Sequence, residues 1–202
     1  MKSKKIMFVI AALCLMAIPA LAQNKPANFA TKPKLVIGKL NAGQPDAFDV
    51  QGKATFTLQH VHDSARENAL EGKLTYTVPD NARQKISQMT GKPLNQVPSS
   101  FTVEKVMASF QAATACPVIH INLKATEIDA VGAKITFPAR VTLDIEGVEP
   151  GTVDKPTPEQ EIAMNLCVWT RQVNNGAMFR GVTRRIRQLL YGEDDPSAQP
   201  PK

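Results

Sequence analysis

The sequence predicts an α+β fold: an antiparallel β-sheet or β-sandwich of about seven strands, with a short mid-chain helix and two C-terminal helices packed on it. Three observations lead there. Apolar residues recur at every second position through most of residues 101–147, as half-buried strands require. Two shorter stretches of the same kind precede them, around Lys53–Val61 and Leu74–Val78. Beyond Pro156 the apolar period changes to that of a helix.

Taken in order, Lys34–Leu40 reads as a first short strand, with a turn-forming loop at Gly43–Asp46 behind it. In the second strand Phe56 and Leu58 alternate with Thr55, Thr57 and Gln59; Leu74, Tyr76 and Val78 mark the third. Asp80 is expected to cap a helix over 81–90 that stops at Gly91, ahead of Pro93. In the central stretch Ile119, Ile121 and Leu123 oppose His120, Asn122 and Lys124, and Ile135 and Phe137 follow a turn near Gly132. Val141, Leu143 and Ile145 likewise oppose Arg140, Thr142, Asp144 and Glu146. The segment 101–112 changes phase between Phe101 and Val103 on one side and Val106, Ala108 and Phe110 on the other. One face stays apolar there only if a bulge near Glu104 and Lys105 absorbs an extra residue. Thr157, Pro158 and Gln160 spell an N-cap, a first helical position and a capping box. Ile162, Leu166, Trp169 and Val173 then share one stripe; Asn174-Asn175-Gly176 ends that helix and a second is expected over 177–191.

The first 22 residues carry the marks of a secretory signal peptide: Lys2, Lys4 and Lys5, an apolar run from Ile6 to Ile18, and Ala20-Leu21-Ala22 as a cleavage site. Cys14 lies inside that run behind Leu13, which does not fit a lipobox. Cleavage after Ala22 would place the mature chain in a periplasm or outside the cell. Its expected parts are a polar leader arm at 23–33, a β-rich domain at 34–150, a helical pair at 157–191 docked on the sheet, and a polar, proline-rich, disordered tail at 192–202. Removal of the three lysines lowers the formal charge from +6 to +3, too little to mark a polyanion binder by composition. Cys116 and Cys167 are then the two remaining cysteines and are expected to form a disulfide stapling the first C-terminal helix to a strand end.

Candidate chemistry is sparse. Arg180, Arg184, Arg185 and Arg187 occupy one side of the last helix and Met178, Phe179, Val182, Ile186, Leu189 and Leu190 the other. That arrangement suits an anionic lipid, a polysaccharide or another envelope protein, or else a docked helix with an arginine-rich wet face, onto which Glu193, Asp194 and Asp195 could fold. His60, His62 and His120, with Asp63 as a fourth ligand, are the candidate metal residues. Simple alternation puts His60 and His62 on the buried face of Phe56 and Leu58 and His120 on a polar face, so the three do not converge unless a bulge intervenes. Ser99, Ser100 and Ser109 show no local sign of activation, and no nucleophile elbow, phosphate loop or zinc-protease helix occurs. Aromatics make up 5% of the chain and are not interleaved with basic residues, which argues against a nucleic-acid platform. Trp169 fits a helical core stripe better than a sugar or lipid anchor. No cofactor is expected.

Three functions follow as expectations. The first is a non-catalytic exported protein binding an apolar ligand in the sheet's cavity, or an anionic surface through its arginines. The second is a protein-binding component of an envelope assembly or secretion apparatus. The third is a metal-dependent hydrolase built on His60, His62 and His120.

Overall fold

The computed structural model describes residues 27–62, 69–113, 115–137, 140–171 and 176–192, with side chains in the last segment from Arg180 onward. The expected signal peptide, the start of the expected leader arm, Asp63, the expected break at Asn174-Asn175, the Val173, Met178 and Phe179 side chains and the expected disordered tail from residue 193 lie outside these residues. The chain forms β1 (Lys34–Leu40), β2 (Phe48–Val61), β3 (Leu70–Thr77), α1 (Asp80–Thr90), β4 (Ser100–Ala112), β5 (Val118–Leu123), β6 (Glu127–Ala130), β7 (Ala133–Thr136), β8 (Val141–Glu146), α2 (Pro158–Arg171) and α3 (Gly176–Tyr191). The eight strands make one antiparallel sheet in the order β6-β7-β1-β2-β3-β4-β5-β8, so the fold is α+β with a single curled sheet.

Curling follows from residues at inward positions. Gly52 on β2 lies beneath the Tyr76 ring: a Cβ there would stand 2.6 Å from a Tyr76 ring carbon and 2.6 Å from the Thr77 carbonyl oxygen. Gly72 on β3 lies beneath Phe56, where a Cβ would come within 2.5 Å of the ring. Rings folded flat over strand glycines let the sheet bend sharply without leaving a void. Two bulges sit beside Gly72. Gln59 is the extra residue of β2 between the pairs Leu58–Gly72 and His60–Glu71. Glu104 and Lys105 are the irregular residues of β4 between Leu74–Val103 and Gly72–Val106, with Lys105 in the left-handed region at φ 60°. The second bulge is the one that the phase shift demanded.

The curl brings the β8 edge back to the segment before β1. Lys32 donates its backbone N–H to the Asp144 carbonyl at 3.2 Å, and two ion pairs flank that bond, Lys34–Asp144 at 2.8 Å and Lys32–Glu146 at 2.9 Å. Lys34, by hydrogen bonding, and His120 hold the Asp144 carboxyl below its ordinary value. A depressed folded pKa means this pair supports folding above the unfolded carboxylate pKa and loses that contribution as acidification passes the folded one.

The inner face is filled by the chain's own side chains: Leu40, Phe56, Leu74, Tyr76, Ile119, Ile121, Ile135 and Leu143 are all almost wholly buried. Helix α1 closes one end through Ala82 and Ile86. It begins one residue earlier than the sequence implied, with Pro79 as N-cap. Asp80 accepts a hydrogen bond from Arg83 rather than from the helix backbone, because that guanidinium also bonds the Leu94 and Val97 carbonyls and draws the carboxylate with it. Gly91, at φ 67°, ends the helix as expected.

Helices α2 and α3 close the other end. The capping box forms, Thr157 N–H to Gln160 Oε1 at 2.9 Å and Gln160 N–H to Thr157 Oγ1 at 3.3 Å. Trp169 is core, edge-on to Phe110 at a centroid distance of 5.0 Å. The Cys116–Cys167 disulfide forms with Cα atoms 5.9 Å apart, joining α2 to the turn before β5. In the chain-entropy model, closing such a loop stabilises the fold by about 4 kcal/mol.

Tyr76 makes stability depend on alkaline pH. Its hydroxyl donates to the Val50 carbonyl at 2.6 Å and reaches that of Val36 at 3.1 Å, and burial pushes its pKa from 10.0 to about 12. Between those values the unfolded chain has lost a proton that the folded chain keeps, so stability falls by about 1.4 kcal/mol per pH unit. Tyr76→Phe should cost about 1–3 kcal/mol at pH 8, by leaving carbonyls without a donor. Urea unfolding of both proteins across that alkaline window should show the difference shrinking as pH rises.

Candidate functional site

The bulge at Gln59 changes where the histidines go. Alternation carried straight on would bury His60 and His62 beside Leu58; the extra residue instead turns Val61 inward and both imidazoles outward. Their expected buried placement is therefore corrected. His60 is exposed, and its Nδ1 meets the Tyr191 hydroxyl, which also contacts the Gln59 carbonyl. His62 Nε2 stands 3.0 Å from Glu71 Oε2. His120 lies on the outer face of β5, its Nδ1 2.8 Å from Asp144 Oδ1. Strand spacing puts β5 about 14 Å from β2, three strands away. The three histidines thus hold three different partners, and among the described residues no three His, Cys, Asp or Glu side chains, as they stand, surround a common metal position.

The two bulges and the end of α3 outline an open groove of about 520 Å³ across β2, β3 and β4. Leu58 and Leu190 line its depth, with His60, Glu71, Glu104, Lys105 and Tyr191 around them. Gln59 Nε2 donates to Glu104 at 3.0 Å across it. A second open hollow, about 470 Å³, lies at the opposite end between α1 and the β6–β7 turn.

The four arginines divide. Arg185 makes a two-pronged ion pair with Glu161 of α2, which raises its pKa further, and so clamps the two helices together. Arg187 donates Nε and an Nη to the Val61 carbonyl, at 3.1 and 2.8 Å, satisfying the last backbone acceptor of β2. Arg180 and Arg184 are exposed and have no ion pair among the described residues. Half of the expected basic face therefore works inside the fold.

Sequence reasoning missed a different feature. Leu35 and Ile37 point outward from β1, 61% and 57% exposed, while Val36, Gly38 and Leu40 point inward. Their cross-strand partners are Lys53 and Gln51, and Lys53 has no ion pair among the described residues. The signal was present: Lys34–Leu40 carries apolar residues on both phases of the alternation, which an outer-face strand facing water does not need.

Comparison of the chain with family models, with curated proteins and with solved structures gives no match.

The division of the arginines is open to measurement. Arg187→Gln should lower stability by about 1.5–3 kcal/mol, the worth of a hydrogen bond from a charged donor. Arg180→Gln and Arg184→Gln should each stay within about 0.5 kcal/mol of the parent. Equilibrium urea unfolding of the three variants distinguishes them.

Proposed function

We propose that this is an exported, non-catalytic protein that acts by binding another envelope protein through the outer face of β1. The observation that carries the reading is the outward pair Leu35 and Ile37. A strand side chain in contact with water is ordinarily polar, and two large aliphatic side chains at alternate positions are a small patch of the kind that association buries. Lys53 lies opposite Leu35, and Lys39 approaches Asp49 only to 3.9 Å, so the patch has cationic neighbours. The partner segment that fits offers aliphatic side chains at alternate positions with a carboxylate beside them.

Three features weigh against the other expected readings. The inner face is packed with the chain's own side chains, which leaves little for an apolar ligand to displace them. Arg185 and Arg187 have their guanidinium groups committed within the fold, which leaves the exposed Arg180 and Arg184 to meet an anionic surface. The hydrolase reading draws no support from histidines engaged separately by Tyr191, Glu71 and Asp144.

A photo-crosslinking residue at position 37, compared in the intact envelope with one at the exposed Gln88 of α1, tests the proposal. A single adduct at position 37, absent at 88 and weakened by Lys53→Glu, is expected. No adduct, or the same adduct at both positions, contradicts it. The variant Leu35→Ser/Ile37→Ser should lose the adduct while its melting temperature hardly moves, since neither side chain is in the core.

A further inference from the structure

We propose that His60, His62 and Glu71 bind one divalent transition-metal ion of the zinc or copper class on the outer face of β2 and β3. This site is independent of partner binding at β1 and does not involve His120.

Three facts place the ligands together. The Gln59 bulge puts His60 and His62 on the same outer face two positions apart, about 6.6 Å along the strand. His60 and Glu71 are direct cross-strand partners, and the Cβ atoms of such a pair lie about 4.5–5.5 Å apart. His62 Nε2 and Glu71 Oε2 already stand 3.0 Å apart. Two donors each about 2.1 Å from one ion, at tetrahedral or octahedral angles, are separated by about 3.0–3.4 Å. That pair therefore has the bite of a chelate before any ion arrives.

His60 is the ligand that must move. Its ring is turned toward Tyr191, and bringing Nε2 to the other two asks for rotation about its side-chain torsions between staggered wells. Rotation exchanges its contact with the Tyr191 hydroxyl for the ion, while that hydroxyl keeps the Gln59 carbonyl as its acceptor. The open groove beside His60 and Glu71 leaves the remaining coordination positions to water. Two imidazoles and a carboxylate suit zinc and copper and are a poor set for calcium or magnesium, which favour all-oxygen sites.

The test is calorimetric titration of the tag-free protein with Zn²⁺, alongside NMR of the histidine ring protons. Saturation at one ion per chain is expected, with the rings of His60 and His62 shifting and that of His120 unmoved. His62→Ala and Glu71→Gln should each weaken binding by about tenfold or more, whereas His120→Ala should leave it unchanged. Absence of saturable binding overturns the proposal, as does binding that survives His60→Ala/His62→Ala. The ring-proton measurement on the parent protein needs no substitution: shifts at His120 with His60 and His62 still would overturn it even if a variant failed to fold.

Discussion

Aromatic rings laid over strand glycines are the constraint on which the rest of this molecule depends. Phe56 covers Gly72 and Tyr76 covers Gly52, each from the neighbouring strand, and a methyl group at either glycine would meet ring carbon well inside van der Waals contact. This lets β2 and β3 turn sharply enough for an eight-stranded sheet to come back on itself, with β8 meeting the arm before β1 through Lys32, Lys34 and Asp144. A flatter sheet would leave its inner aliphatic face too broad for three short helices to cover. The buried Tyr76 hydroxyl is the polar complement of the same device: it crosses from β3 to satisfy carbonyls of β1 and β2 at the bend.

The bend also places what little chemistry the surface has. Both bulges flank Gly72, and bulges re-aim side chains. One turns His60 and His62 out beside Glu71; the other lifts Glu104 and Lys105 to the rim of the groove. Helix α3 is then fastened across the end of β2 by Arg187 and Tyr191, and to α2 by Arg185. A helix that looks like a charged surface in isolation is thus a structural strap over part of its length.

Much of the fold was legible in the sequence because its signals are local. The change of phase within 101–112, the Thr157–Gln160 box and the Gly91 stop each depend on residues a few positions apart, and the cysteine pair needed only a count and a compartment. The missing pieces fail for physical reasons. Inward glycines at 38, 52 and 72 leave no apolar mark, so the alternation suggests that β2 starts at Lys53 although it pairs with β1 from Phe48. The bulge at Gln59 falls at the end of a strand, where Val61 alone betrays the new phase, and so simple alternation puts His60 and His62, though not His120, on the wrong face. The partners of Arg185, Arg187 and His60 lie 24 to 131 residues away, beyond any periodic pattern. What the exposed Leu35 and Ile37 meet is a property of another molecule, which this chain's periodicity does not encode.

The most direct test of the account is the stability of Gly72→Ala, measured by equilibrium denaturation with the parent alongside. Alanine at an unstrained strand position ordinarily adds about 0.4–1 kcal/mol by restricting the unfolded chain. Here the added methyl must displace the Phe56 ring or the β2 backbone, and the account predicts a loss of about 1–3 kcal/mol. A variant as stable as the parent, or more so, would contradict the claim that the ring-covered glycine sets the curl.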